Sequence, residues 1–239
     1  MRRTLLRVLV TVVALAVILV AGDLAARRYG LRRVAEEVQQ QYSLPQRPEV
    51  SVAGGSFLWQ AVRGRFEDVT LTMDTLPTPS VPLSDVRVRI PAAEVPLGVL
   101  LGRPGTVDLA QGTVRADVGY GPLAQQVSRG GLDVDLSRAG SNVRAGATVR
   151  VLGFGVDLAV IVTPTLDGGD VRLDPVEARV GGAKVPLSRA EQLLEAAGFD
   201  GWSISLDDVP GEVELQDLQV IDAGVRVQGA LRAGSVEVA

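Results

Sequence analysis

The side chains best suited to binding chemistry are concentrated between residues 54 and 70. This segment combines aromatic rings with arginines, a pairing that suits a charged lipid headgroup and the apolar boundary beneath it. The alternative is structural: a helical turn whose Phe57, Leu58 and Val62 pack against a sheet. The structural interpretation is favoured for Phe57 and Phe66. For Trp59, Arg63 and Arg65 the lipid-binding and the structural interpretation both stay open. The candidate lipid-binding residues are Phe57, Trp59, Arg63, Arg65 and Phe66.

Most catalytic chemistry is excluded by residue types that the chain lacks. There is no Cys and no His, so thiol nucleophiles, Ser-His-Asp triads and Cys or His metal sites cannot form. The G-x-S-x-G, Walker and G-x-G-x-x-G patterns are also missing. The carboxylate pairs Asp133/Asp135 and Asp207/Asp208 are typical of solvated faces, and Lys184, the only lysine, has no partner that spacing identifies. We therefore expect no metal and no cofactor, and we favour binding over catalysis.

Charge is divided unevenly along the chain. Seven arginines against Asp23 make residues 1–33 six charges positive, while the remainder is ten charges negative, for a net charge of −4. An acidic body argues against nucleic acid as a partner. A basic segment beside an apolar run suits the anionic headgroups of a membrane.

The apolar run from residue 8 to residue 22 predicts a membrane segment, because a helix that crosses a bilayer core needs about 20 apolar residues. Residues 1–22 are predicted to be an anchor or a secretory signal sequence, and residues 23–42 a juxtamembrane helix. The small-residue cleavage sites are imperfect, so an uncleaved signal-anchor is favoured. Arginines on both sides of the run leave its orientation open. The predicted anchor residues are Val8, Leu9, Val13, Leu15, Ile18 and Leu19.

From residue 49 onward, apolar and polar residues alternate with a period of two. This alternation is typical of antiparallel strands with one wet and one dry face. It recurs at residues 69–74, 86–90, 114–118, 132–137, 171–180, 213–215 and 225–227. Short helices are predicted at residues 94–101, 120–129 and 189–197. No linker divides the rest, so residues 43–239 are treated as one β-rich domain.

The predicted fold class is therefore mainly β (α+β): a single N-terminal transmembrane helix followed by a long curved antiparallel sheet with a few short helices. Two arrangements of the dry face remain open. The sheet either encloses an apolar trough suited to acyl chains or closes into a sandwich with a filled core. Pattern alone favours the filled core.

Several short motifs, taken in order, resemble the LmeA-like family of actinobacterial cell-envelope proteins, named for lipomannan elongation. The helix with Tyr120, Leu123 and Ala124 fits the same order. The matching motifs are residues 64–72 (GRFEDVTLT), 85–88 (DVRV), 112–118 (GTVRADV), 203–205 (SIS) and 224–229 (GVRVQG). The resemblance extends over roughly residues 48–232.

This resemblance implies a domain on the extracytoplasmic side of the cell membrane, held there by the single-pass N-terminal segment. It also implies phosphoinositide-type phospholipids or mannosylated glycolipids as partners, with a role in lipoglycan assembly. A phospholipase A activity has been attributed to one family member, but no agreed catalytic residues carry over. Three functions are thus retained: a lipid-binding envelope protein, a phospholipase, and a structural or interaction protein with a closed core.

Overall fold

The computed structural model describes residues 2–79, 81–128, 133–151, 154–167, 170–188, 203–204 and 213–238. The helices in this part of the chain are α1 (Arg2–Gln41), α2 (Phe57–Arg63), α3 (Leu97–Leu100) and α4 (Tyr120–Ser128). The strands are β1 (Glu49–Ala53), β2 (Arg65–Leu76), β3 (Leu83–Glu94), β4 (Gly105–Leu109), β5 (Gly112–Gly119), β6 (Val134–Ala139), β7 (Asn142–Val151), β8 (Phe154–Asp167), β9 (Asp170–Val180), β10 (Ala183–Val185), β11 (Ser203–Ile204), β12 (Val213–Ile221), β13 (Gly224–Leu231) and β14 (Gly234–Val238).

The strands form two sheets, where the sequence predicted one long sheet. The first has eight strands in the order β1-β2-β3-β5-β13-β12, and β4 pairs with both β3 and β14. The second has six strands in the order β10-β9-β8-β7-β6, with β11 added on β9. Neighbours such as β7 and β8 are antiparallel and keep a continuous register over their length. The prediction of a mainly β, antiparallel fold is confirmed.

By its internal contacts the chain divides into two compact units, and β2 and β3 contribute residues to both. Unit 1 comprises Met1–Thr72, Arg89–Gly112 and Ala233–Ala239. In it, α1 contacts β1 and α2, and α3 contacts α2 and β4. Its buried apolar side chains are Ala35, Leu44, Val52, Phe66 and Ala93.

Unit 2 comprises Met73–Val88 and Thr113–Arg232 and contains the six-stranded sheet. Leu158, Val160 and Val162, alternate residues in the middle of β8, are buried, and Ala178 on the neighbouring β9 is 0% exposed. Helix α4 contacts β6, and β12 contacts β8. The buried members of this dry face include Val143, Ala145, Leu158, Val160, Val162 and Ala178. In the described part of this sheet the buried face therefore consists of valine, alanine and leucine side chains.

The predicted transmembrane helix is wrong. Within the described ranges, no helix has the combination of length and apolar character that crossing a membrane requires. The apolar run of α1 begins after Arg7 and ends before Asp23, which is shorter than the roughly 20 apolar residues that a span requires. It contains the predicted anchor residues Val8, Leu9, Val13, Leu15, Ile18 and Leu19. The remainder of the same helix is rich in charged residues.

The other predicted helices have different outcomes. Helix α1 continues through residues 23–41 without a break at Gly30, and α4 confirms the helix predicted at 120–129 as far as Ser128. The helix predicted at 94–101 is shorter, since Pro96 is its N-cap and Leu101 its C-cap. The helix predicted at 189–197 lies outside the described residues. The domain boundaries predicted at residues 22 and 42 stay predictions.

Candidate lipid-binding site

Helix α2 is short, and its two caps define its ends. At the N-cap, Ser56 has an extended backbone (φ −62°, ψ 127°), and its Oγ accepts a hydrogen bond from the Trp59 N–H at 3.1 Å. This satisfies one of the amides that a helix leaves free in its first turn. At the other end Gly64 adopts the left-handed conformation (φ 68°), which glycine reaches without strain. The helix therefore spans Phe57–Arg63 and holds its side chains in fixed directions.

A second group caps the same helix from a distance in sequence. The carboxylate of Asp23, on α1, accepts hydrogen bonds from the Leu58 N–H (2.8 Å), the Ser56 hydroxyl (2.7 Å) and the Phe57 N–H (3.1 Å). These bonds, led by the one from Leu58, lower the pKa of Asp23 below its ordinary value. A carboxylate at a helix N-terminus is also favoured by the helix dipole. Asp23 thus ties α1 to the start of α2.

Two of the predicted lipid-binding aromatics, Phe57 and Phe66, pack against each other. The rings of Phe57 and Phe66 lie with centroids 5.4 Å apart at an angle of 45°, a tilted arrangement that aromatic pairs favour. Phe66 is only 5% exposed. The Phe57 ring also lies against Gly30 of α1, where a Cβ would come within 3.0 Å of it. These two rings join α1, α2 and β2, in agreement with the structural interpretation favoured for them.

Trp59 and Arg63 form a different kind of pair on the exposed side of α2. They are one helical turn apart, and the Arg63 Cζ lies 4.5 Å from the centroid of the Trp59 ring. Trp59 is 56% exposed. A cation over an indole face is attracted by the negative charge of the ring face. The second arginine candidate differs, because Arg65 is engaged with Glu94, Nη1 to Oε1 at 3.4 Å. Lipid contact by any of the five candidates stays a prediction.

The apolar neighbours of this pair were missed as binding candidates. Leu58 and Val62 were predicted to pack against the sheet, yet both are exposed, Val62 by 68%. Helix α3 adds further exposed apolar side chains and begins beside the end of α2, where the Val95 N–H donates to the Gly64 carbonyl at 2.7 Å. We call this surface the α2–α3 apolar face. Its members are Leu58, Trp59, Val62, Leu97, Leu100 and Leu101.

A depression lies on the polar face of the six-stranded sheet in unit 2. Gly146 and Ala159 are directly opposite each other in the β7–β8 register and form its shallow floor. Its volume is about 490 Å³, and its lining includes Asp133, Asp135, Asp157, Arg144 and Arg179. The depression is open and is lined by charges of both signs, so it does not resemble an apolar trough for acyl chains.

Ion pairs within the sheet account for several of the charges near this depression. Glu177 accepts from Arg179 Nε at 2.8 Å and from Lys184 Nζ at 2.9 Å. These two bonds, the one from Lys184 first, lower the pKa of Glu177. Asp133 and Asp135 are exposed, as the solvated-face interpretation predicted. Asp207 and Asp208 lie outside the described residues. In the described ranges, no group of three or more Asp or Glu side chains is placed to hold a metal ion.

The described residues thus place an exposed arginine–tryptophan pair beside exposed apolar side chains on an antiparallel β fold. Comparison with known families identifies the class directly. The sequence model of the family described as LmeA-like phospholipid-binding matches residues 21–230. The chain belongs to this family, as the short motifs had indicated. No curated protein and no solved structure gives a significant match to the chain.

Proposed function

We propose that the chain binds anionic, phosphoinositide-type phospholipid on the extracytoplasmic side of the cell envelope, with the headgroup held at Arg63 beside Trp59. Membership of the LmeA-like phospholipid-binding family supports lipid as the ligand. The observation that carries the choice of site is the exposed Arg63–Trp59 stack at 4.5 Å. By the same resemblance we propose that this binding supports lipoglycan assembly.

The chemistry of this pair suits a phosphodiester. The Trp59 face covers one side of the guanidinium of Arg63, and the N–H groups in its plane can donate to phosphate oxygens in the forked geometry that arginine offers. The indole ring has an apolar body and one polar N–H, so it fits the boundary between headgroup and acyl chain. The remaining residues of the α2–α3 apolar face supply contacts for the first methylene groups.

Charge near the pair favours an anionic ligand. Arg65 neutralises Glu94, and the Asp23 carboxylate is already engaged with the N-terminus of α2. No described carboxylate is paired with Arg63 in the structure. A charge-assisted hydrogen bond to the phosphate contributes about 1.5–3 kcal/mol. Every phospholipid headgroup carries this phosphate, so the preference is expected to come from net charge: the cationic choline of phosphatidylcholine is repelled by Arg63, and an anionic headgroup is not.

We do not propose lipid hydrolysis, because no observation in the described ranges favours it. The chain has no His or Cys to act as base or nucleophile. The one lysine that could activate a serine, Lys184, is bound to Glu177.

The test is competition between headgroups. Full-length protein in detergent is offered equal amounts of phosphatidylinositol and phosphatidylcholine, and the bound lipid is read by native mass spectrometry. We expect phosphatidylinositol to be preferred and Arg63→Gln to reduce its affinity about tenfold, the loss of one charge-assisted bond. The matched control is Arg87→Gln, which removes an exposed arginine from unit 2. Absence of any phospholipid adduct, or an equal effect of both variants, would refute the proposal.

A further inference from the structure

The α2–α3 apolar face brings six exposed apolar side chains onto two neighbouring helices and the residue that ends the second. Both helices belong to unit 1 and contact each other. Leu97 is 51% exposed and Leu101 68%, and Leu100 also turns outward between them. Apolar side chains scattered singly over a surface are ordinary, but contiguous patches of this kind mark interaction sites.

The edge of the same unit extends this apolar character. Helix α3 contacts β4, and β14 pairs with β4 so that Val236 lies opposite Val107. Val236 and Val238, which share one face of β14, are both exposed. Exposed apolar side chains therefore also occur on β14, which pairs with the strand that α3 contacts.

Arginines border this face. Arg63 lies over Trp59, and Arg103 follows α3 directly, with its Cδ beside Gly98 of that helix. Both are cationic side chains at the rim of an apolar surface, while the nearby acid Glu94 is paired with Arg65. An apolar centre with a basic rim complements the acyl boundary and anionic headgroups of a phospholipid surface. A second copy of the chain would bring the same basic rim against itself, which disfavours self-association.

Helix α1 presents a further apolar surface at the same place. Its exposed side chains Leu15, Ile18 and Leu19 lie within the two and a half turns before Asp23, the residue that caps α2. The α2–α3 apolar face therefore begins where the exposed apolar run of α1 ends.

We propose that the α2–α3 apolar face docks on the surface of an anionic phospholipid bilayer. Trp59 and the leucines of α3 enter the level of the upper acyl chains, and Arg63 and Arg103 lie at the level of the phosphates. This inference rests on the proposed lipid-binding function and adds the source of the ligand: the protein takes its lipid from the membrane surface rather than from free lipid in water.

Trp59 itself provides a local probe of docking. The chain has two tryptophans, so Trp202→Phe leaves Trp59 as the only indole. This full-length protein is added to vesicles of phosphatidylcholine with or without phosphatidylglycerol, containing lipids brominated near the top of the acyl chains. We expect a blue shift and quenching of Trp59 emission, stronger with the anionic lipid. The signal reports on α2 alone, whatever the rest of the chain does at the membrane.

The matched variants separate docking from headgroup binding. Leu97→Glu with Leu101→Glu should reduce Trp59 quenching about tenfold, while Val176→Glu, at an exposed valine of unit 2, should leave it unchanged. Circular dichroism establishes that each variant is folded. If the protein binds vesicles but Trp59 emission is not quenched, the docking proposal is wrong. It is also wrong if the blue shift appears without vesicles and increases with protein concentration, because that result would mean that a second copy of the chain covers the face. Retained phosphatidylinositol adducts in native mass spectra would show that the proposed function survives that failure.

Discussion

The carboxylate of Asp23 accepts a hydrogen bond from the backbone N–H of Leu58 at 2.8 Å, across 35 residues of sequence. A long helix and a short one are joined at this point, and the side chain that makes the junction also stabilises the first turn of α2. Arg27, one turn further along α1, donates to the Val52 carbonyl of β1. The orientation of the exposed Trp59 thus depends on residues of α1 that are distant from it in sequence.

The first prediction concerns pH. Because the hydrogen bonds from Leu58, Ser56 and Phe57 lower the pKa of Asp23 below 3.8, the folded protein binds a proton at this site less readily than the unfolded chain. The stabilisation is fully present above pH 3.8 and is lost as the pH falls through the lower, folded value. In urea unfolding, the free energy of unfolding of wild type should exceed that of Asp23→Asn at neutral pH, and this difference should become smaller as the pH is lowered. A difference that does not change with pH would contradict this role.

The second prediction concerns the N-cap of α2. Ser56→Ala removes the hydroxyl that accepts from Trp59 N–H and donates to Asp23. Loss of such a cap costs about 1 kcal/mol, to be measured by chemical denaturation. Ser235→Ala, which removes the exposed hydroxyl bonded to Asp108, is a control from the same unit and should cost less. Equal costs would mean that the cap has no special role.

The third prediction separates the two kinds of aromatic residue in the candidate site. Phe66→Ala empties a buried position and should destabilise the protein by about 3–5 kcal/mol. Trp59→Ala removes an exposed ring and should leave the melting temperature nearly unchanged while weakening phospholipid binding. Thermal unfolding and lipid binding are measured on both variants. If Phe66→Ala and Trp59→Ala lowered the stability by similar amounts, the distinction between a buried structural ring and an exposed binding ring would be wrong.

The fourth prediction concerns the core of unit 2. Arg226 binds Asp117 through two hydrogen bonds of 2.7 Å, and the Asp117 side chain is nearly buried. The hydrogen bond with Asp117 raises the pKa of Arg226. Arg226→Leu leaves the carboxylate without its partner and should cost about 3 kcal/mol, the low end for buried pairs, because Arg226 keeps some exposure.

The control for this fourth variant is Arg65→Leu. Its ion pair with Glu94 is exposed on both sides, and such pairs contribute less than about 1 kcal/mol. Urea denaturation should therefore show a clearly larger loss in the free energy of unfolding for Arg226→Leu than for Arg65→Leu. If Arg226→Leu costs no more than Arg65→Leu, the buried pair does not stabilise unit 2.

Part of the strand content could be predicted from the sequence, because burial follows the alternation where alternation is present. In β3, Val86 is buried while Arg87 and Arg89 are exposed. Strands β7 and β8 were not predicted, although they form the centre of the six-stranded sheet. What alternation cannot show is which strands share a sheet, since that depends on contacts distant in sequence. Asp68, with a φ of 50° inside β2, also departs from the regular strand backbone that alternation assumes.

The candidate site was only partly predictable. Aromatic and arginine residues indicated the segment, but composition could not distinguish the buried Phe66 from the exposed Trp59. The leucines of α3 gave no signal as binding residues, because an apolar helical turn looks the same in sequence whether it faces a core or a ligand. The apolar run before Asp23 predicted a transmembrane span that the structure contradicts.

The central claim is that phospholipid binds at the Trp59–Arg63 pair. The most direct measurement is photocrosslinking of the full-length chain with phosphatidylinositol that carries a diazirine at the top of an acyl chain, followed by peptide sequencing. The account predicts adducts in residues 57–63 and 97–101, reduced by Arg63→Gln. Adducts confined to unit 2, with none in these two segments, would contradict it.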